Sequence, residues 1–265
     1  MSAQEGPYGP LDFARDSKVP RETLDRLTAY AALLVERNAQ LNLVADSTLT
    51  DMWRRHFLDS AQLVDLVPEG TKTIVDLGSG AGFPGMVLAI VLSGGAPPPP
   101  RHSPRSPSPV KAGEDRASPD LAHPPSALAG EVAAATRQTE GVPLLVHLIE
   151  ATQKKCRFLE EVAEATGAPV RVHWSRSEDI HGLTADIVTA RALAPLDKLL
   201  GLAHPYFKAG TTGLFLKGRG LDAELTAANE SWTLHATRVP SRSDPSGSIL
   251  RVTGLSPWRK PRRSS

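Results

Sequence analysis

After Pro20, apolar residues return at intervals of three and four: Leu24, Leu27, Ala31, Leu34 and Val35. This spacing predicts an amphipathic helix ending near Gln40, with Pro20 suited to its first turn. A second helical block is expected over 48–67, with Trp53, Phe57, Leu58 and Leu63 on one side. Together the two form an N-terminal helical cap over residues 1–70.

From Lys72 onward the pattern changes to short apolar runs alternating with helical stripes. Strands are expected at 73–77, 144–149, 170–174, 185–189 and 211–216. Helices are expected at 85–92, 152–166, 196–204 and 221–228, and a terminal antiparallel pair at 232–237 and 249–252. Such alternation implies an α/β fold: a mostly parallel sheet flanked by helices on both faces.

Residues 94–142 interrupt this order. The stretch holds ten of the chain's 23 prolines and almost no aromatic or β-branched residues. It offers too little apolar surface to offset the entropy of ordering it, and is expected to be a disordered insertion. Leu128, Val132 and Ala135 have the spacing of one short helix over 126–138. The larger domain then spans 71–255, followed by a basic tail over 256–265.

Composition narrows the function only slightly. A net charge of +1 gives no bulk attraction to nucleic acid, so basic residues would have to be locally concentrated. The lone cysteine, Cys156, excludes an intrachain disulfide framework and a multi-thiolate metal centre, and no metal is expected. No leader pattern or membrane-length apolar run is visible, so a cytoplasmic protein without a membrane partner is expected.

The chemistry should lie beyond the carboxyl ends of the strands. The first strand ends in Asp76-Leu77-Gly78-Ser79-Gly80-Ala81-Gly82, followed by Phe83-Pro84-Gly85. Gly78, Gly80 and Gly82 allow a tight turn and close approach of a ligand. Their spacing is G-x-G-x-G rather than the G-x-G-x-x-G of dinucleotide folds. An acid roughly 20 residues after such glycines commonly holds ribose hydroxyls. Glu150 lies 72 residues after Gly78, but 23 once the 49-residue insertion is set aside.

Blander roles stay open for several of these residues. Asp76 can cap the loop amides, and Glu150 can be an ordinary helix-start acid. Arg191 can pair with Glu178 or Asp186, and His56 with Asp59. Lys217 and Arg219 can be solvated charges, and Cys156 a small core residue.

Several stretches together resemble the bacterial ribosomal RNA small subunit methyltransferase G family, also called glucose-inhibited division protein B. They are Asn42-Leu43-Val44, Arg55-His56-Phe57-Leu58-Asp59-Ser60, Asp76 to Gly85, Lys155-Cys156-Arg157-Phe158-Leu159, Arg176-Ser177-Glu178-Asp179 and Thr189-Ala190-Arg191-Ala192. The resemblance covers about residues 20–220 apart from the insertion. It implies a Rossmann-like class I methyltransferase that uses S-adenosylmethionine to methylate N7 of one guanine in 16S ribosomal RNA. It also implies cofactor contacts from Gly78, Phe83, Ser177, Glu178 and Arg191, beside the loop and ribose residues Asp76, Gly80, Gly82 and Glu150.

Guanine N7 carries an in-plane lone pair and no proton, so no general base is required. The chain shows Thr189-Ala190-Arg191-Ala192 where amine methyltransferases resemble Asn/Asp-Pro-Pro-aromatic, and Cys156 is on a helix away from any C5 nucleophile position. For holding 16S RNA or the 30S subunit, the candidates are Arg54, Arg55, His56, Arg176, Lys217 and Arg219, with Arg191 near the same mouth. A monomer is favoured. Methylation of a protein or small molecule, or a non-catalytic nucleotide-sensing module, are the competing readings.

Overall fold

The computed structural model describes residues 8–94 and 143–258. The helix expected over 126–138, nearly all of the insertion and the basic tail from residue 259 lie outside these.

The first helix, α1 (Pro10–Ser17), is one that hydrophobic spacing does not predict. Only Phe13 of it is buried, so no periodic stripe marks it. Its local signals are Pro10 in the first turn and the Asp12 carboxylate, which accepts the Gly9 N–H at 3.0 Å. The expected helix over 20–40 is α2 (Arg21–Leu41), ended by Asn42 in the left-handed region at φ 48°.

The helical block expected over 48–67 is present but is built from several kinds of turn. A 3₁₀ turn (Asp46–Asp51) leads to a π-helical turn (Trp53–Leu58), the short α3 (Asp59–Ala61) and a second 3₁₀ turn (Gln62–Leu66). In a regular α-helix, residues five apart point about 140° away from each other. The wider π turn brings Trp53 and Leu58 inward together, at 6% and 3% exposure.

The remaining elements are β1 (Thr73–Leu77), α4 (Gly85–Leu92), β2 (Leu145–Glu150), α5 (Gln153–Thr166), β3 (Val170–Trp174) and β4 (Ala185–Arg191). They continue as α6 (Leu196–Ala203), β5 (Phe207–Lys217), α7 (Leu221–Ala228), β6 (Trp232–Pro240) and β7 (Ser248–Pro257). The strands form one seven-stranded sheet in the order β3-β2-β1-β4-β5-β7-β6. The first five strands pair in parallel, and β7 runs antiparallel to both β5 and β6. β5, β6 and β7 are longer than expected, because their extra residues face solvent and break the apolar runs.

Successive strand residues feed opposite faces. Ile74, Val146, Leu148, Ile187 and Leu214 pack with α2, α4, α5 and the rings of Phe13, Tyr30 and Phe57. Val75, Leu77, Ile149, Val188 and Phe215 pack against α6 and α7. Arg26 of α2 ties the first layer together by donating to the carbonyls of Gly94 and Thr166, both at 2.7 Å. These carbonyls lie at or just beyond the C-terminal ends of α4 and α5, where helices leave acceptors unmet. No helix among the described residues is long and apolar enough to cross a membrane.

Candidate functional site

Strand order reverses between β1 and β4, and a crevice opens there beyond the carboxyl ends of the strands. The glycine loop forms its floor, with Gly78 at φ 63° and Gly80 at φ 57°. Gly78 takes up its left-handed φ without strain, and a β-carbon there would lie 2.5 Å from Leu193 Cδ1, so a larger residue would have to displace that side chain. Two bonds tie the loop to the β2 end: Ser79 N–H to Ile149 O at 3.0 Å, and Gly80 N–H to Glu150 Oε2 at 2.9 Å. The other Glu150 oxygen accepts Thr152 N–H at 2.7 Å. The long sequence gap between glycines and acid is therefore spanned by adjacent parallel strands.

The cavity above this loop has a volume of about 680 Å³, within the roughly 300–1,000 Å³ range of ligand pockets. Gly78, Gly80, Phe83, Glu150, Ser177, Glu178 and Arg191 all line it. Ser177 is held from behind, its carbonyl accepting the Tyr206 hydroxyl at 2.6 Å.

Asp76 and Gly82 do not line this cavity; they support the loop from beneath. Asp76 is fully buried, and its Oδ1 accepts the Thr189 hydroxyl at 2.7 Å. Burial pushes its carboxyl up to about 6, opposed by the Thr189 hydrogen bond, while Oδ2 is buried with no hydrogen-bond partner among the described residues and Ser79 Oγ donates to the Asp76 main-chain carbonyl at 3.1 Å. Gly82, at φ 99°, has the Tyr30 hydroxyl 2.6 Å from where a β-carbon would stand. That hydroxyl donates to the Ala81 carbonyl, and the Tyr30 ring stacks on Phe83 at 5.3 Å.

Arg191 links strand end to cap. Its Nη1 lies 3.0 Å from both His56 Nδ1 and the Arg55 carbonyl, and 3.5 Å from Asp59 Oδ2. Its guanidinium also stands 5.0 Å over the Phe83 ring. Because arginine only donates, His56 Nδ1 is the acceptor and the ring proton is on Nε2. Nε2 donates to Thr48 Oγ1 at 2.8 Å, and Thr48 donates to the Ala45 carbonyl at 2.6 Å. Burial first, then the Arg191 and Arg55 charges, push His56 down to about 3, so it is neutral. Burial raises the Asp59 carboxyl above its ordinary range. Arg191 thus pairs with neither Glu178 nor Asp186, and it bridges His56 to Asp59.

A second cavity of about 650 Å³ lies on the other side of Arg191 and shares His56, Arg191 and Ala192 with the first. Arg55 and Lys217 line it, but Lys217 is engaged by Glu224 at 2.5 Å and the Ala194 carbonyl at 3.2 Å. Arg176 lines the first cavity. Arg54 stands 4.3 Å over the Tyr8 ring, and Arg219 is exposed outside both walls. Cys156 is buried, donates to the Glu150 carbonyl at 3.2 Å, and is pushed up to about 11 by burial.

Sequence reasoning assigned no role to Leu43, Val44, Ala45 and Thr48, which form the cap side of the first cavity. Their signal was Asn38: it accepts Val44 N–H at 2.8 Å and donates to Asp46 at 2.7 Å, folding the chain back over the crevice. Ala192 and Leu193 were missed as well. Nothing in an alanine announces the left-handed φ of 51° that turns this segment toward the loop.

A parallel sheet with an antiparallel seventh strand, a glycine loop after β1 and an acid closing β2 define the class I methyltransferase architecture. The family model described as rRNA small subunit methyltransferase G matches residues 23–94 and 135–247, passing over most of the insertion. The chain is 45% identical over 245 residues to ribosomal RNA small subunit methyltransferase G of Parvibaculum lavamentivorans, covering 92% of this chain and 88% of that protein. It is also 45% identical over 250 residues to that of Rhodospirillum centenum, covering 94% and 93%, and 43% identical over 251 residues to that of Paramagnetospirillum magneticum, covering 95% and 98%. The chain belongs to the rRNA small subunit methyltransferase G family.

Proposed function

We propose that the protein transfers the methyl group of S-adenosylmethionine to N7 of a guanine in 16S ribosomal RNA, acting as a monomer on the 30S subunit in the cytoplasm. The observation that carries this reading is the glycine loop bonded to the Glu150 carboxylate at the point where strand order reverses. The residues present suit the cofactor. Glu150 offers a carboxylate to ribose hydroxyls, and Gly78 and Gly80 bring bare backbone to the floor. Ser177 and Glu178 stand at the β3 side for the adenine, and Arg191 offers a cation for the amino-acid carboxylate.

When bound, the cofactor supplies an electrophilic methyl on a sulfonium. The chain's task is then to bind, align and exclude water. Phe83, sandwiched between Tyr30 and His56 at 5.3 and 5.1 Å, keeps one wall dry. His56 has both nitrogens engaged, so it holds Arg191 in place rather than moving a proton. This suits a nucleophile that has no proton to lose. Asp76 and Gly82 serve the site by holding the loop from below.

The test is mass-spectrometric mapping of 16S RNA from a deletion strain, its parent and the complemented strain. One N7-methylguanine should vanish on deletion and return on complementation. Identical methylation in parent and deletion strain would refute the assignment.

A further inference from the structure

The second cavity is built from the ends of β4 and β5, the π-helical turn and the turn joining β6 to β7. All three parts of its frame are tied internally. Asp59 Oδ1 accepts the Ser243 hydroxyl at 2.6 Å and Gln62 Nε2 at 3.0 Å, while Gln62 Oε1 accepts Arg242 N–H at 2.7 Å. Lys217 and Glu224 form a second tie, with Glu224 also accepting Leu196 N–H at 2.7 Å. These groups are engaged in holding the walls.

Three lining side chains remain uncommitted. Among the described residues, Asp51 and Arg55 have no side-chain hydrogen-bond or close ion-pair partner, and Asp244 uses only Oδ1, toward Ser246 at 2.8 Å, within the longer-range field of Arg219 and Arg55. The cavity therefore presents two acceptors and one cation, with Leu216 and Pro245 as apolar surface. Guanine has the complementary pattern: N1–H and N2–H₂ are donors on one edge, and O6 and N7 are acceptors on the other. With the donor edge on carboxylates, N7 faces the opposite way. The boundary with the cofactor cavity, through Arg191 and Ala192, is where such an N7 would have to arrive.

We infer that this second cavity receives the target guanine, extruded from the RNA, with Asp51 and Asp244 reading its N1–H and N2–H₂ edge and Arg55 meeting O6. The assignment rests on the proposed N7 methylation. It explains selection of guanine without a base-specific motif in the sequence: the two acids come from positions 193 residues apart and line one cavity only in the folded chain. Extrusion exposes the base to both cavities at once. Transfer forms the N7–methyl bond as the methyl–sulfur bond breaks, the electron pair returns to sulfur, and no proton moves.

The experiment compares wild-type protein with the double variant Asp51→Asn, Asp244→Asn on under-methylated 30S particles. Particles carrying guanosine at the target are set against particles carrying inosine, which lacks the N2 amino group. S-adenosylmethionine affinity is measured in parallel by calorimetry. Cofactor Kd should stay within about twofold in the variant, because neither acid lines the first cavity. A lost hydrogen bond to a charged acceptor is worth roughly tenfold or more, so wild-type kcat/KM should favour guanosine over inosine by at least about tenfold. In the variant, kcat/KM on guanosine should fall by a similar factor, and the preference over inosine should shrink below about twofold. A variant that keeps wild-type kcat/KM and wild-type preference overturns the assignment. If the double variant does not fold, Asp244→Asn alone, at an exposed turn position, carries the same readouts. No methyl transfer by wild-type protein to any particle, with cofactor binding intact, would sink the parent reading and the pocket with it.

Discussion

Neutral His56 makes the fold acid-sensitive in a way that can be isolated. Its imidazole is buried, accepts from Arg191 at 3.0 Å, and is held down to about 3. In the unfolded chain it returns to about 6.5. Between these values the unfolded state binds a proton that the folded state refuses, so stability is full above about pH 6.5 and falls as pH drops toward 3. At about 1.4 kcal/mol per unit, going from pH 7 to pH 4.5 costs about 2–3 kcal/mol. Other groups titrate in the same window. His147 is pushed down to about 4 and adds to the loss, whereas Asp76, pushed up to about 6, opposes it. The contrast is therefore between wild type and His56→Gln, which is neutral at every pH. Urea unfolding of both at pH 7 and pH 4.5 should show wild type losing about 2–3 kcal/mol more than the variant. Equal losses would mean that His56 is not held neutral, and the assignment of Nδ1 as acceptor from Arg191 would be wrong.

Glu150→Gln leaves one good acceptor for two N–H groups, so it should cost about 2 kcal/mol in urea unfolding and weaken S-adenosylmethionine at least about tenfold by calorimetry. Unchanged values in both would remove Glu150 from the site. Gly85→Ala places a β-carbon 2.5 Å from Leu148 Cδ2 and 2.7 Å from Asp76 Cβ, so overpacking should lower stability by about 1–3 kcal/mol; a wild-type Tm would contradict this packing. Asp76→Asn tests the opposing titration. A carboxyl raised to about 6 in the fold gains stability as pH falls from 6 toward 4. On going from pH 6.5 to 4.5 the variant should therefore lose about 2 kcal/mol more than wild type, and a matching loss would place the Asp76 pKa near its ordinary value.

What was legible along the chain were the features with a local signature. Thr73–Leu77 reads as a strand because both of its faces are buried, and α7 (Leu221–Ala228) appears at its expected bounds. The glycine loop and Glu150 could be joined in advance, since removing the insertion leaves an ordinary strand-to-strand distance. What could not be read depends on residues meeting from far apart. α1 buries one ring, too few for a period, and the π turn brings two side chains, Trp53 and Leu58, into one core. Arg191 was a candidate through family resemblance, and it lines the first cavity. Its partners were not legible, because His56 lies 135 residues away and is reached only when the cap closes over the β4 end. The same closure divides the crevice in two: a cofactor side built from backbone approach, which glycines advertise, and a further side built from scattered acids, which no linear pattern advertises. Substrate selectivity in this fold is thus expected to depend on side chains that the sequence keeps separate.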